Sequence, residues 1–158
     1  MAVPSYLSTF LWMQQLRGAD VFATRFPGLW AVWEPGPWRP AADVKRTISF
    51  GGETGAPTAG GDYLCFHLGA ADGRVVSLGR EAGNDIVVND GTVSRQHVQF
   101  FTQATAWWVR PHAGRTATLA GEPVELTGAA VSPGQELQLG GARFTFHDPA
   151  GLIRRLGK

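Results

Sequence analysis

The chain has 158 residues, room for one ordinary domain with its own core plus a folded extension. Its 14 basic and 13 acidic side chains leave a formal net charge of +1, so no global field draws it to nucleic acid or an anionic membrane, and any anion site must be local. A single cysteine, Cys65, cannot form an internal disulfide, and the N-terminus lacks a basic leader, which together predict a cytoplasmic protein without membrane insertion.

In chain order, Leu7, Phe10, Leu11 and Leu16 recur at roughly helical spacing, which predicts one short helix between Ser5 and Arg17, with Ser5 as N-cap and Gly18 as its stop. A further helical turn or two follows from Asp20 to Arg25, ended by Phe26, Pro27 and Gly28. Leu29 to Trp33 then reads as a strand stopped by Glu34, Pro35 and Gly36. Trp12, Trp30, Trp33 and Trp38 place four of the six tryptophans in this first quarter. Such aromatic density serves either small-core packing or a docking face for another protein.

From Gly51 to Gly61 the run GGETGAPTAGG is small, glycine-rich and nearly uncharged, the composition of a flexible connection. It divides the chain into a Trp-rich extension over 1–50, a linker over 51–61, a domain over 62–148 and a basic tail over 149–158. The alternative is a hairpin in which Thr47 to Phe50 pairs with Tyr63 to Leu68 and the glycine-rich run is the loop.

Beyond Gly61 short alternating runs are separated by turn residues, as in a sandwich. Leu64, Phe66 and Leu68 alternate with Tyr63, Cys65 and His67. Val76 and Leu78, Val98 and Phe100, Val124 and Leu126, Leu137 and Leu139, and Phe144 and Phe146 each share one face of a run. Each run is expected to have one buried and one wet face. Trp107 and Trp108 fall on opposite faces of one strand, one for the core and one partly exposed. No helix is expected after residue 61, and Arg154, Arg155 and Lys158 read as a solvated tail. The predicted fold class is all-β, a sandwich of two antiparallel-rich sheets with a small α/β N-terminal extension.

The stretch LGREAGNDIVVNDGTVSRQH, from Leu78 to His97, carries the chemistry. Arg80 ends one strand, Asn84, Asp85 and Ile86 form a turn that opens the next, and Val93, Ser94, Arg95 and His97 precede a third. A guanidinium is a planar fork of donors suited to phosphate oxygens, and a serine hydroxyl on a neighbouring loop adds one more short bond. The loops of a sandwich cluster at its ends, so Arg80 and Ser94 can converge. Asp85 and Asp90 read as turn formers. His67, His112 and His147 show no metal-ligand spacing to one another or to Cys65, and no cofactor motif, P-loop or nucleophile elbow is present, so neither a metal nor a cofactor nor catalysis is expected.

In order and spacing, GR, NDI and VSRQH resemble the signature of the forkhead-associated (FHA) domain over about residues 62–148. The resemblance implies a β-sandwich that recognises a phosphothreonine segment of a partner protein, such as a Ser/Thr kinase substrate, in a signalling setting of the kind bacteria use. It implies that Arg80 and Ser94 grip the phosphate, that Arg95 contacts the phosphopeptide, and that Gly79 and His97 support the site. Known members favour phosphothreonine because a small apolar pocket takes the methyl group. The family's usual Ser-x-Asn-Gly-Thr segment is absent; in its place stands RPHAGRTATLAG, from Arg110 to Gly121, with Arg115 where the Asn would be or, with a one-residue gap, Thr116. Arginine donates but cannot accept, so it cannot replace an amide that does both toward a peptide backbone. The departure leaves a phosphate-independent scaffold on the same fold as the alternative. Thr54 and Thr58 in the glycine-rich run would, if phosphorylated, present a tethered occupant at high effective concentration.

Overall fold

A computed structural model describes residues 3–35 and 62–157. The glycine-rich run with Thr54 and Thr58, the alternative strand Thr47 to Phe50, Gly36, Trp38 and Lys158 lie outside the described residues.

The strands, in chain order, are β1 (Ser5–Leu7), β2 (Leu29–Trp33), β3 (Leu64–Gly69), β4 (Val76–Gly79), β5 (Ile86–Val87), β6 (Val98–Gln103), β7 (Ala106–Pro111), β8 (Thr118–Leu119), β9 (Glu122–Pro123), β10 (Ala129–Ala130), β11 (Glu136–Leu139) and β12 (Ala142–His147). Among the described residues they form two sheets, ordered β1-β3-β2-β12-β11-β8-β9 and β10-β7-β6-β4-β5. The expected sandwich is therefore present, and β4 with β5 is its one parallel pair among the described strands. Strand β2 lies between β3 and β12, with Val32 opposite both Cys65 and Thr145, so a segment from the first quarter of the chain is built into the centre of the larger sheet.

The alternating residues meet between the sheets. Leu64, Phe66 and Leu68 of β3, Leu78 of β4, Phe100 of β6, Val109 of β7, and Phe144 and Phe146 of β12 are all buried in one core. Trp107 belongs to that core and its indole N–H donates to the Gly69 carbonyl at 2.9 Å, while Trp108 is half-buried, so the two faces of this strand behave as expected.

The larger sheet departs from the simple pattern. All five residues of β2 are buried, as are Leu64, Cys65, Phe66, Leu68 and Gly69 of β3, because helices α1 (Ser8–Gln15), α2 (Ala19–Arg25) and α3 (Pro149–Leu156) cover the outer face. Leu11, Phe22, Phe26, Leu152 and Leu156 there close over Trp30, Val32, Tyr63 and Cys65 in a second core. Trp30 is fully buried, donates its indole N–H to the Phe26 carbonyl at 3.2 Å and stacks on His67 at 4.5 Å. Trp33 joins the main core beside Phe144, so these two tryptophans pack inside; Trp12 stays 39% exposed and lies against Gly157.

Several expectations are corrected. Ser5 does not cap a helix: residues 5–7 pair with β3 and the helix begins at Ser8. Its exposed N-terminal donors are met from a distant segment, Asp62, which accepts from the Ser8 hydroxyl at 2.9 Å and the Thr9 amide at 3.0 Å, as a capping carboxylate does. Val124 and Leu126 do not share a strand; β9 ends at Pro123, Val124 is buried in a loop and Leu126 is 65% exposed. A helix does follow residue 61: α3, capped by Asp148 with Pro149 in its first turn, buries Leu152 and Leu156. Among the described residues no helix is long and apolar enough to cross a membrane.

Arg155, expected to be solvated, latches α3 to the sheet. Its guanidinium grips Glu34 at both oxygens (2.6 and 2.9 Å), donates to the Tyr63 hydroxyl at 2.9 Å and lies over the Tyr63 ring at 4.2 Å. Glu34 also accepts from the Thr145 hydroxyl at 2.6 Å. Burial pushes the Glu34 carboxyl up, but the bonds from Arg155 and Thr145 outweigh it and hold its pKa below the ordinary value. A lowered folded-state pKa stabilises above the ordinary carboxylate range and is lost as pH falls through it. Arg155→Ala leaves this mostly buried carboxylate with one neutral partner, and is expected to destabilise by about 3 kcal/mol. Thermal denaturation at pH 7 should show a fall of about 6–12 °C for a chain of this size, and the gap from wild type should narrow as Glu34 becomes protonated.

Candidate functional site

Three connections meet at one end of the sandwich: the β4–β5 turn, the β5–β6 loop and the β7–β8 loop. Strand β4 delivers Gly79 and Arg80 to this end, and the Arg80 amide donates to the Ser94 carbonyl at 2.9 Å. The two residues predicted to converge are thus hydrogen-bonded neighbours. The Arg80 guanidinium turns toward the same loop, its Nε donating to the Val93 carbonyl at 2.8 Å. The Ser94 hydroxyl is half-buried and makes no hydrogen bond among the described residues, its backbone N–H being the group that is used.

Gly79 is required for this approach. A Cβ there would lie 2.2 Å from the Arg95 carbonyl oxygen and 2.9 Å from the Asn84 side-chain nitrogen, distances that only backbone movement would relieve. Asn84, read from sequence only as a turn residue, turns out to be a brace: its amide donates to the carbonyls of Glu81 at 2.9 Å and Arg95 at 2.7 Å, tying two loops together. Its place in the NDI group was the available signal. Asp90 forms a turn as expected, accepting from the Thr92 amide at 2.8 Å and hydroxyl at 2.6 Å, whereas the Asp85 side chain reaches back to β4 and accepts from the Ser77 amide at 2.9 Å. Thr92 carries the tie onward, its Oγ1 accepting from Gly141 at 2.7 Å, so the β11–β12 turn of the opposite sheet is fastened beneath the site.

His97 is buried and bridges two loops. Its Nδ1 accepts from the Ser94 amide at 3.0 Å, which leaves Nε2 carrying the proton donated to the Thr116 carbonyl at 2.8 Å. Both nitrogens are used only in this neutral tautomer. Burial lowers the His97 pKa, the bond to Thr116 works against that, and the nearby Arg115 charge lowers it further.

Arg115 and Thr116 therefore sit on the loop one imidazole away from Ser94. Thr116 engages His97 through its carbonyl, and Arg115 is exposed, its amide closing a turn onto the His112 carbonyl at 2.9 Å. Arg95 is exposed as well, and its carbonyl rather than its side chain holds Asn84 and the Glu81 amide. The end of the sandwich thus gathers Arg80, Ser94, Arg95 and Arg115 on rigidly linked loops, a cationic surface suited to an anion. Among the described residues no cluster of three or more His, Cys, Asp or Glu is placed to hold a metal ion.

Replacing His97 by Ala removes one acceptor and one donor and leaves the Ser94 amide and Thr116 carbonyl unmatched, for an expected loss of about 3 kcal/mol. The pH dependence has a definite sign. With the folded-state pKa lowered, the unfolded chain binds the extra proton, so His97 lowers stability as pH falls below its ordinary value. His67 and His147 are also shifted down and act in the same direction. Melting temperatures measured between pH 5 and 8 should accordingly rise with pH in wild type and rise less steeply in His97→Gln.

Residues 76–140 match the family model described as the FHA domain. No curated protein matches the chain. Among solved structures, the FHA domain of the CT664 protein from Chlamydia trachomatis is similar at 19% identity and a TM-score of 0.54, over 76% of this chain and 96% of its own. The FHA domain of an Arabidopsis thaliana hypothetical protein aligns at 16% identity and a TM-score of 0.49, over 77% of this chain and 86% of its own. The N-terminal FHA domain of S. cerevisiae Rad53p, solved with a phosphothreonine peptide, aligns at 16% identity and a TM-score of 0.44, over 52% and 73%. The sequence match over residues 76–140 and the likeness of the sandwich to the CT664 domain agree on one fold, that of the forkhead-associated domain.

Proposed function

We propose that the chain is a non-catalytic interaction module that binds a phosphothreonine segment of a partner, such as a Ser/Thr kinase substrate, at the loop end of the sandwich. The observation that carries this reading is the pairing of Arg80 with Ser94: their backbones are hydrogen-bonded at 2.9 Å, and the Ser94 hydroxyl has no protein partner among the described residues. The guanidinium supplies charge and forked geometry, and the hydroxyl supplies a short bond to a phosphate oxygen. Arg95 contacts the peptide beside the phosphate. Arg115 or Thr116 takes the place where relatives use Asn, and Arg115 adds a third cation. Gly79, Asn84 and His97 hold the loops without touching the ligand. The functional unit takes in β2 as well as residues 62–148, because β2 completes the larger sheet. The single cysteine, buried and with its thiol pushed up to about 12, suits a cytoplasmic protein that does not use it chemically.

A phosphate-independent scaffold is the second reading. It is favoured by the exposed Phe10, Met13 and Leu16 on and just beyond α1 and by the missing Asn.

Calorimetry with phosphorylated, unphosphorylated and glutamate-substituted versions of one threonine peptide divides the two readings, since only the phosphorylated form should bind a reader. In that assay Arg80→Ala should abolish binding and Ser94→Ala should weaken it by about 1.5–3 kcal/mol, the scale of a hydrogen bond to a charged group. Unchanged affinity in Arg80→Ala would remove the proposed grip. Because exposed charges are screened over roughly 8 Å at physiological salt, Arg115→Asn should lessen the salt dependence of binding.

A further inference from the structure

Beside the Arg80 and Ser94 pair, against β4 and β6, the surface opens into a cleft of about 150 Å³ lined by Glu81, Gly83, Asn84, Gln96, Gln99 and His112, with Ser77 and Val98. Its entrance is fixed to the phosphate-binding loops, since the Glu81 amide donates to the Arg95 carbonyl at 3.2 Å and Asn84 bonds both residues. The backbone of Glu81 is therefore held, while its carboxylate makes no hydrogen bond or ion pair among the described residues. Arg110 donates to the side-chain oxygen of Gln99, one of the lining residues, at 3.0 and 3.1 Å and lies over the Phe101 ring at 4.5 Å.

A cleft-lining carboxylate without a hydrogen-bonding partner among the described residues has a consequence for selectivity. Glu81 lines the cleft, and its backbone is bonded to the loop that carries Ser94 and Arg95, so an acidic ligand side chain entering the cleft meets a like charge. A basic side chain reverses the effect. Its alkyl stem can lie along the cleft while its charged end reaches the carboxylate and stays wet. Attraction of one partner and repulsion of another together make a specificity device. We propose that this cleft receives a lysine or arginine side chain flanking the phosphothreonine of the bound segment, with Glu81 as its counter-ion. This rests on the phosphopeptide reading above and adds the charge class of the partner sequence.

The test uses the full chain and a set of peptides with one phosphothreonine in a Gly/Ala background, each carrying a single Lys or a single Glu at one flanking position. Affinities are measured for wild type, Glu81→Gln and Glu81→Lys, with unphosphorylated peptides as controls. At one position Lys should improve wild-type binding by about threefold over Ala and Glu should weaken it similarly, the scale of an exposed ion pair. The preference should flatten in Glu81→Gln and reverse in Glu81→Lys. Because the Glu81 side chain is exposed, melting temperatures of both variants should match wild type. Phosphate-dependent binding with the same charge ranking in all three proteins, or with no charge ranking at any position, overturns the assignment of Glu81 while leaving the phosphate grip intact. If no peptide binds wild type in a phosphate-dependent way, the phosphopeptide reading falls, and this assignment falls with it.

Discussion

One imidazole sets the geometry of the site. His97 accepts a hydrogen bond from the Ser94 amide and donates one to the Thr116 carbonyl, so two loops that are distant in sequence are held at a fixed separation. A short polar side chain would reach one of these groups, and an apolar one neither. The bond to Ser94 fixes the backbone of the residue whose hydroxyl remains available, and the bond to Thr116 fixes the loop that carries Arg115. Preorganised loops bind with less ordering loss than mobile ones. Gly79 sets the complementary distance from the strand side, because its missing Cβ lets the strand end lie against the Arg95 carbonyl while the Arg80 amide bonds the Ser94 carbonyl.

The loops are held still because the sheets behind them pack face to face and the larger is also covered on its outer face. The smaller sheet buries one face against the larger, but the larger buries both, with three helices over its outer surface. That layer is drawn from opposite ends of the described chain, α1 and α2 before β2 and α3 after β12; Asp62 fastens the start of α1, and Arg155, with Glu34, Tyr63 and Thr145 around it, fastens α3. A bidentate ion pair that keeps further hydrogen bonds to each partner is the arrangement in which partial burial of charge is tolerated. The effect reaches the site through β12 and the turn that follows β11, where Gly141 is bonded to Thr92 two residues before Ser94.

What was legible in the sequence divides by range. The alternation at Leu64, Phe66 and Leu68 or at Leu137 and Leu139 depends on a period of two along one strand, and it identified the core faces directly. The GR, NDI and VSRQH groups lie at strand ends and turns, which are local features, and the backbones of Arg80 and Ser94 meet as their spacing led one to expect. Long-range facts were hidden. Nothing in Leu29 to Trp33 states that its neighbours are β3 and β12, and nothing in Ser5 to Leu7 states that pairing with β3 overrides a helical spacing. The cap of α1 comes from Asp62, which no window around Ser8 contains. α3 was hidden for a different reason: its apolar face is only Leu152, Ile153 and Leu156, too short a stripe to stand out beside two arginines, although Asp148 and Pro149 formed a start signal.

The electrostatics of the site also make sense of the position where the family pattern is broken. His97 serves as a bridge only while neutral, because a proton on Nδ1 would face the Ser94 N–H. A bound phosphate dianion near Ser94 would favour the imidazolium and so weaken the bridge at the moment of binding. Positive charge on the neighbouring loop opposes this, and Arg115 already acts on His97 in that direction, lowering its pKa alongside burial. An asparagine in that place would offer the ligand a donor and an acceptor but would carry no charge to offset the dianion. In the proposed reading, Arg115 in that place would exchange a backbone clamp for protection of the neutral tautomer. On this argument the loop of Arg115 and Thr116 contributes, through His97, to holding Ser94 in place.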